Sequence, residues 1–335
     1  MKAPFFSILI PVFNQVGLMD ECIKSLKNQT FKDFEIIVVD DGSTDASLEM
    51  LEGFSKEFEN FTILKHGTNK SLETARYTAM EKARGEYILF LDSDDYYFDY
   101  TCERIHDFIM KNPVDIVRFG YVGEKLAGFL DGNDKDFTTP PVPSDDPYLS
   151  LLKGDISPTV WKNCYSKRVI EEAVKRTTPF YCNMGEDVFW GTVLFSIAES
   201  FGTLDEILHH YLMGEGMSTN LSTQTIAKLQ RNFESTKAVG KNLFEYFEKY
   251  DPKNLEFIQM KVDTMQKYVL LQGIAGKPNM EDMVRKIMLF DTEETQATFK
   301  YGCEKLIPYC VRMSLGVTDE MMDQLGLKYD SDIYS

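Results

Sequence analysis

Tyr87-Ile88-Leu89-Phe90-Leu91-Asp92-Ser93-Asp94-Asp95 is the stretch on which the fold turns. Five mostly apolar residues, the pattern of a buried strand, end in three carboxylates among four positions. Packing alone does not ask for this, because clustered carboxylates repel one another and resist desolvation. A divalent cation resolves the conflict, since Mg²⁺ and Mn²⁺ prefer hard oxygen ligands. In an open parallel sheet, ligands bind beyond the carboxyl ends of the strands. The stretch therefore predicts the metal and phosphate end of a nucleotide site. An acidic, solvated turn after a strand is the plainer alternative.

Outward from this stretch, the first 120 residues alternate strand and helix patterns. Phe5 to Val12, Phe34 to Asp40, Phe61 to Lys65, Tyr87 to Leu91 and Val114 to Phe119 read as short apolar strands. Helical patterns fill the gaps near Gly17 to Asn28, Asp45 to Phe58, Leu72 to Ala83 and Tyr100 to Lys111, with Ser43 and Thr44 placed to cap the second. Such alternation predicts right-handed crossovers and an α/β fold, a mainly parallel sheet covered by helices on both faces. Residues 131–147 crowd proline and aspartate and read as a loop at a subdomain junction. A mixed region follows to about Asn220, and beyond it the pattern is helical. Ile226, Leu229 and Phe233 share one helix face, as do Leu255, Ile258, Val262, Met265 and Val269. Asn279 followed by Asp282 resembles a further helix start. The expected organisation is a domain over 1–220, with a nucleotide half at 1–130 and an acceptor half at 148–220. A helical C-terminal region over 221–335 follows, and the methionines scattered through it, like Met217 before it, read as core.

Bulk properties narrow the class. The chain has 335 residues, and 36 Lys plus Arg against 53 Asp plus Glu leave a net charge of −17. That argues against a nucleic-acid partner, which needs a basic surface, and against electrostatic docking on an anionic membrane. No stretch approaches the roughly 20 apolar residues of a membrane span. The first residues run straight into a strand pattern with no leader-like segment, and the six cysteines form no C-x-x-C pair. A reducing, cytoplasmic setting is expected, with the inner face of the membrane an open place of work.

The first strand ends Ile10-Pro11-Val12-Phe13-Asn14, with neither a G-x-G-x-x-G nor a G-x-x-x-x-G-K-[ST] after it. A phosphate-handling domain without either loop must hold its diphosphate otherwise, and a metal on the Asp92/Asp94 cluster is the natural means. The second strand ends Val39-Asp40-Asp41-Gly42-Ser43-Thr44-Asp45. A carboxylate there can accept the imide N–H of a uracil, or it can simply cap the next helix.

Together, Ile8-Leu9-Ile10-Pro11-Val12-Phe13-Asn14, Asn28-Gln29-Thr30-Phe31, the run from Glu35 to Asp45 and the run from Gly85 to Asp95 resemble the successive signatures of family 2 glycosyltransferases with the GT-A fold. The resemblance covers roughly residues 5–220. It implies that Asp41 contacts the uracil and that Pro11 and Phe13 line the nucleoside pocket. Asp92 meets the ribose or the metal, Asp94 binds the metal, and Ser93 lies between them in the donor site. Arg76, in Glu73-Thr74-Ala75-Arg76-Tyr77, matches an arginine that approaches base and phosphates; on sequence alone it is equally a helix-surface arginine. The chain departs from the family pattern around it: Ser71, Tyr77 and Ala79 stand where glycine, asparagine and glycine are usual.

Further on, Asn183-Met184-Gly185-Glu186-Asp187-Val188-Phe189-Trp190 resembles the family's Glu-Asp motif. A carboxylate is wanted there because the acceptor hydroxyl must lose its proton as it attacks the anomeric carbon. Adjacent helical residues point about 100° apart, so the two acids divide roles: the resemblance makes Asp187 the base and Glu186 an acceptor contact. Acids enriched at a helix start for dipole reasons are the simpler alternative. Trp161, in the run from Ser157 to Lys167, resembles a Trp-x-Lys-x-Tyr stretch and offers a ring for stacking on a sugar, or a ring for the core. Leu208-His209-His210-Tyr211-Leu212, followed by Ser218, resembles the tail of the same enzymes, with His210 as a further metal or diphosphate contact or a structural histidine.

The reading that results is an inverting, Mn²⁺- or Mg²⁺-dependent hexosyltransferase with a UDP-sugar donor and a glycan or glycolipid acceptor. It resembles the bacterial β-1,3-galactosyltransferases and their relatives in lipooligosaccharide or capsule synthesis. A non-catalytic nucleotide-sugar-binding relative and a sugar nucleotidyltransferase are the alternatives; the latter lacks its expected basic, glycine-rich loop after the first strand. A peripheral membrane contact and a homodimer through the helical region stay open.

Overall fold

The computed structural model of the chain describes residues 2–125, 137–139, 141, 144–213 and 226–274. Ser218, Met217, the Asn279/Asp282 pattern, Cys303, Cys310 and most of the 131–147 loop lie outside them. The loop's described part is not wholly irregular, since a short strand occupies Phe137–Thr139 and a helix begins at Pro147.

The described strands are β1 (Phe6–Val12), β2 (Phe34–Asp40), β3 (Phe61–Lys65), β4 (Tyr87–Phe90), β5 (Tyr96–Tyr97), β6 (Ile116–Lys125), β7 (Phe137–Thr139), β8 (Asn163–Ser166) and β9 (Phe201–Met213). The helices are α1 (Met19–Asn28), α2 (Ser47–Phe54), α3 (Leu72–Lys82), α4 (Thr101–Lys111), α5 (Pro147–Lys153), α6 (Lys167–Arg176), α7 (Glu186–Ile197), α8 (Ile226–Tyr250) and α9 (Leu255–Ile274). The sheet runs β3-β2-β1-β4-β8-β6-β9-β5, with β7 paired to β6. From β3 to β4 every pairing is parallel. Beyond β4 the sheet is mixed, because β8 enters antiparallel between β4 and β6. The strand expected at Val114 therefore pairs with β8 and β9, not with β4.

Burial on both faces explains why the first strands read as continuous apolar runs. One face carries Leu9, Ile37, Val39, Ile88 and Phe90 against α3, α6 and α7, and α8 and α9 extend the same core through Val239, Leu243, Phe247, Ile258 and Val262. The other face carries Ile8, Ile10, Ile36, Val38 and Leu89 against α1 and α4.

Ser43 and Thr44 do not cap α2. The helix starts at Ser47, whose N–H donates to the Asp45 carboxylate at 3.0 Å. Ser43 and Thr44 instead tie the loop after β2 to the loop after β1: Asn14 N–H donates to Ser43 Oγ at 3.0 Å, and Thr44 N–H donates to Asn14 Oδ1 at 2.8 Å. The two loops that flank the cavity are thus fixed to each other.

Candidate active site

Beyond the carboxyl ends of β1, β2 and β4 lies a cavity of about 930 Å³. Pro11, Phe13, Asp41, Asp92, Ser93, Asp94, Trp161, Glu186 and Asp187 all line it, so nine of the eleven expected site residues converge on one space. Arg76 and His210 are the two that do not line it.

Arg76 sits beneath the cavity floor at 1% exposure and binds three carboxylates at once. Its Nη2 donates to Asp92 Oδ1 at 2.7 Å, and its Nη1 donates to Asp187 Oδ1 at 2.9 Å and to Glu186 Oε1 at 3.2 Å. Burial opposes its charge, but the three carboxylates hold it firmly protonated. The planar guanidinium suits this task because it offers several donors in a fixed fork. The cation that the sequence assigned to base and phosphates thus joins the end of β4 to the start of α7.

Two glycines bring the acidic start of α7 into place. Gly185 precedes the helix at φ +90°, and a Cβ there would lie 2.3 Å from Met265 Sδ on α9. Gly191, inside the helix, sits so close to residue 158 that a Cβ would lie 1.9 Å from the Pro158 carbonyl oxygen. That close approach draws residues 157–161 against α7, and Val160 N–H donates to Asp187 Oδ1 at 3.3 Å. Both hydrogen bonds to Asp187 fall on Oδ1, leaving Oδ2 without a partner among the described residues.

Burial raises the proton affinity of the acids throughout. Glu186 is pushed up to about 7 by burial and by Asp187, against the pull of Arg76. Asp187 is raised by burial, with Arg76 opposing. Asp94 is pushed up to about 8 by burial and then by Asp95 and Asp92. Near neutrality the site therefore holds protons that a cation or a substrate could displace.

Asp41 is already engaged. Lys70 N–H and Ser71 N–H donate to its two oxygens at 2.8 and 2.9 Å, and His66 Nδ1 lies 2.6 Å from Oδ1. Ser71, where the family pattern has glycine, keeps a positive φ of 95°, and its Oγ accepts the Cys182 N–H at 3.0 Å. Tyr77 turns away from the cavity, its hydroxyl donating to the Val174 carbonyl at 3.3 Å, and Ala79 is core. Trp161 lines the cavity and packs on Tyr211 at 5.1 Å and 5° and on His209 at 4.6 Å.

His210 packs outside the cavity lining, stacked on Tyr96 at 4.3 Å and near Phe98 at 4.1 Å. Strand alternation turns the neighbouring histidine inward instead. His209 is fully buried, is kept neutral by a pKa pushed down to about 3, and places Nε2 2.9 Å from Asp95 Oδ2. Asp95 also accepts the Leu212 N–H at 2.9 Å, so it pins β9 to the acidic turn.

The sequence reading missed the wall supplied by α9. Met260, Lys261, Thr264, Met265 and Val269 line the cavity. Met265 and Val269 were assigned to an apolar stripe, but nothing in its period showed that the stripe's edge faces a site. His66 was missed as the partner of Asp41; it carries no motif.

A mixed sheet with helices on both faces and an acidic cavity at its strand ends is a GT-A-like fold. Residues 7–172 match the sequence profile of glycosyl transferase family 2. The matching stretch spans just under half of the chain's 335 residues. The chain is similar to the poly(ribitol-phosphate) beta-glucosyltransferase of Bacillus spizizenii, 34% identical over 218 residues, covering 63% of this chain and 33% of the relative. It is also similar to the putative glycosyltransferase EpsH of Bacillus subtilis, 31% identical over 214 residues, covering 63% of this chain and 61% of EpsH. The chain thus spans about one third to three fifths of these relatives' length. Among solved structures, S. aureus TarS 1–349 in complex with UDP-GlcNAc has the same fold, with a TM-score of 0.58 at 21% identity, covering 89% of this chain and 79% of that one.

Proposed function

We propose that the protein is an inverting, metal-dependent glycosyltransferase that moves a hexose from a UDP-sugar to a hydroxyl of a glycan or glycolipid in bacterial surface-polymer synthesis. The observation that carries this reading is the Arg76 bridge, which joins the donor-side acid Asp92 to the acceptor-side acids Glu186 and Asp187 on one cavity. Similar proteins include a poly(ribitol-phosphate) beta-glucosyltransferase and the minor teichoic acid biosynthesis protein GgaB, which supports a surface-polymer acceptor. UDP-N-acetylglucosamine, bound in the S. aureus TarS complex, is one candidate donor, and UDP-galactose, which the resemblance to galactosyltransferases suggests, is another.

The acceptor oxygen attacks the anomeric carbon while its proton passes to Asp187 Oδ2. The bond from that carbon to the diphosphate breaks, and UDP leaves with the electron pair from the opposite face. Glu186 orients the acceptor, Asp41 reads the base, and Pro11 and Phe13 flank the nucleoside. Holding both sugars in line supplies much of the remaining acceleration.

A divalent cation fits the residues at the end of β4. Asp92 and Asp94 are hard oxygen donors, and a carboxyl held at about 8 in the metal-free protein is one whose proton a cation would displace. Among the described residues no group of three or more His, Cys, Asp or Glu side chains could hold a metal, so the diphosphate and water would complete the ligand set. When bound, the cation supplies Lewis-acid neutralisation of the leaving diphosphate.

We also propose that the chain divides its labour as donor half 1–130, acceptor half 148–220 and a C-terminal region whose α9 completes the acceptor wall. Among the described residues no helix is long and apolar enough to cross a membrane.

The test is a melting screen of UDP-, GDP- and dTDP-sugars with Mn²⁺, with Mg²⁺ and with EDTA, since ligand binding raises the melting temperature by mass action. Stabilisation by UDP-sugars with metal, and its loss in EDTA or in Asp94→Asn, is expected. Metal affinity should rise from pH 6 to pH 8 and then level off, because the cation binds the deprotonated Asp94 carboxylate. Equal stabilisation by UDP in EDTA and in Mn²⁺ would remove the metal from the reading.

A further inference from the structure

Two cations on the acceptor side stand without a counter-ion. Arg118, on β6, is only 4% exposed, and its buried Nη1 has no hydrogen-bond partner. Among the described residues its guanidinium makes no hydrogen bond and no ion pair. Its strand partners are Asn163 on β8 and Thr203 on β9, both uncharged. Lys162 immediately precedes β8 and is half-buried; its one contact of note is cationic, with Nζ 5.8 Å from the centre of the Tyr121 ring. Burial and the neighbouring Arg118 push its pKa down to about 8, with Asp187 pulling the other way. Burial likewise lowers Arg118.

This is costly as it stands. A buried charge is normally paired or hydrogen-bonded, and two like charges side by side raise the cost. The chain has carboxylates to spare, 53 against 36 basic residues, yet among the described residues none forms an ion pair with either. Asp187 is the acid that pulls the Lys162 pKa back up. Lys162 follows Trp161, which lines the cavity, and Val160 two residues before it donates its N–H to Asp187 Oδ1 at 3.3 Å, so the pair lies behind the Asp187 side of the cavity wall, although neither residue is among those that line it. In a protein of net charge −17, long-range attraction would not draw in an anionic substrate, so local cations must do so. A guanidinium fork beside an ammonium suits a phosphate, which accepts from both at once.

We propose that Arg118 and Lys162 form an anion subsite beside Asp187 that takes a phosphate group of the acceptor. The proposal rests on the glycosyl-transfer reading for the meaning of "acceptor". The subsite fixes the phosphate and so presents a neighbouring polyol or sugar hydroxyl to Asp187. The half-buried Lys162 supplies the approach, and Arg118 anchors the far side.

The test is calorimetric titration of the full chain with glycerol 3-phosphate, glycerophosphoglycerol, inorganic phosphate and glycerol, for the wild type, Arg118→Gln and Lys162→Gln. Saturable binding of the phosphate-bearing probes but not of glycerol is expected. Binding should weaken roughly tenfold or more in each variant, while UDP binding with Mn²⁺ stays unchanged. A preference for the diester over the monoester and inorganic phosphate would point to a phosphodiester-linked polymer; the reverse would point to a terminal phosphate. Absence of saturable binding in the wild type, equal binding in both variants, or displacement of the probe by UDP would each overturn the proposal, the last by giving the cations to the donor diphosphate. If Arg118→Gln fails to fold, Lys162→Gln carries the test alone. Loss of UDP binding in the wild type would strike the donor reading instead and leave the phosphate result interpretable.

Discussion

The two sides of the cavity are built in opposite ways. On the donor side, Pro11, Asp41 and the Asp92–Asp94 turn lie at or just past the ends of β1, β2 and β4, three strands joined by parallel pairing. Each site residue there comes from the same structural event, a buried strand meeting solvent. On the acceptor side, Trp161 comes from a loop, Glu186 and Asp187 from a helix start, and Met265 from α9, with no repeated element among them. The charge differs too: carboxylates crowd the donor end, whereas Arg118 and Lys162, behind the wall at the other, make no ion pair among the described residues. The first arrangement suits a cation and the second an anion, as the proposed metal-bound diphosphate and phosphate-bearing acceptor would require.

The sharpest way to break this comparison is to remove the acid assigned to the acceptor side alone. Asp187→Asn should lower kcat by roughly 10²–10⁴-fold, the range in which a general base contributes, and leave UDP and Mn²⁺ binding close to wild type. The amide still accepts from Arg76 and Val160, so the fold is kept. Steady-state transfer assays beside calorimetry separate the two. Undiminished transfer would remove Asp187 as base; loss of UDP binding would mean that the halves are not separable.

Arg76 is where they join. Arg76→Gln leaves three carboxylates without their shared cation, and breaking such a buried set costs about 3–5 kcal/mol of stability. The sign with pH follows from the direction of the shifts. Without Arg76, Glu186 and Asp187 bind protons still more tightly when folded than when unfolded, so the folded variant regains stability as pH falls. Thermal melts should therefore show a gap from wild type that narrows from pH 8 to pH 5. A gap independent of pH would mean that Arg76 acts through packing.

How legible each half was in sequence follows from the same contrast. The donor side was readable because each of its residues sits within a short, contiguous run whose strand period and terminal acids appear together. The fold followed from the same runs, although the antiparallel entry of β8 did not, since Asn163-Cys164-Tyr165-Ser166 is too short to declare its direction. The acceptor side depends on contacts between distant segments: Arg76 meets Glu186 across 110 residues. Glu186 and Asp187 were found through a motif, but the α9 wall, the His66–Asp41 contact and the unpaired Arg118 carry no local signature. Strand alternation turns His209 inward and packs His210 on Tyr96, outside the cavity lining.

The smallest expected effect concerns Glu73, a buried acid one turn before Arg76. It accepts the Phe180 N–H at 3.0 Å and the Thr74 hydroxyl at 3.2 Å through Oε2, while Oε1 is buried without a partner. Burial pushes its pKa up to about 8, with the hydrogen bonds opposing and Glu186 adding to the rise. A carboxyl whose folded value lies above its unfolded one favours folding while it is protonated, and that contribution drains away as pH climbs through the folded value. Wild-type stability should therefore decline between about pH 5 and pH 8 through this group. Glu73→Gln, neutral at every pH and still able to accept from Phe180, should match the wild type near pH 5 and melt several degrees higher at pH 8.5. Because Glu73 lies outside the cavity lining, UDP affinity should not follow. A variant that gains no stability at high pH would show that Glu73 stays ionised through contacts the neutral amide cannot replace. The raised acids of this region would then be a property of the cavity alone, not of the floor that joins its two halves.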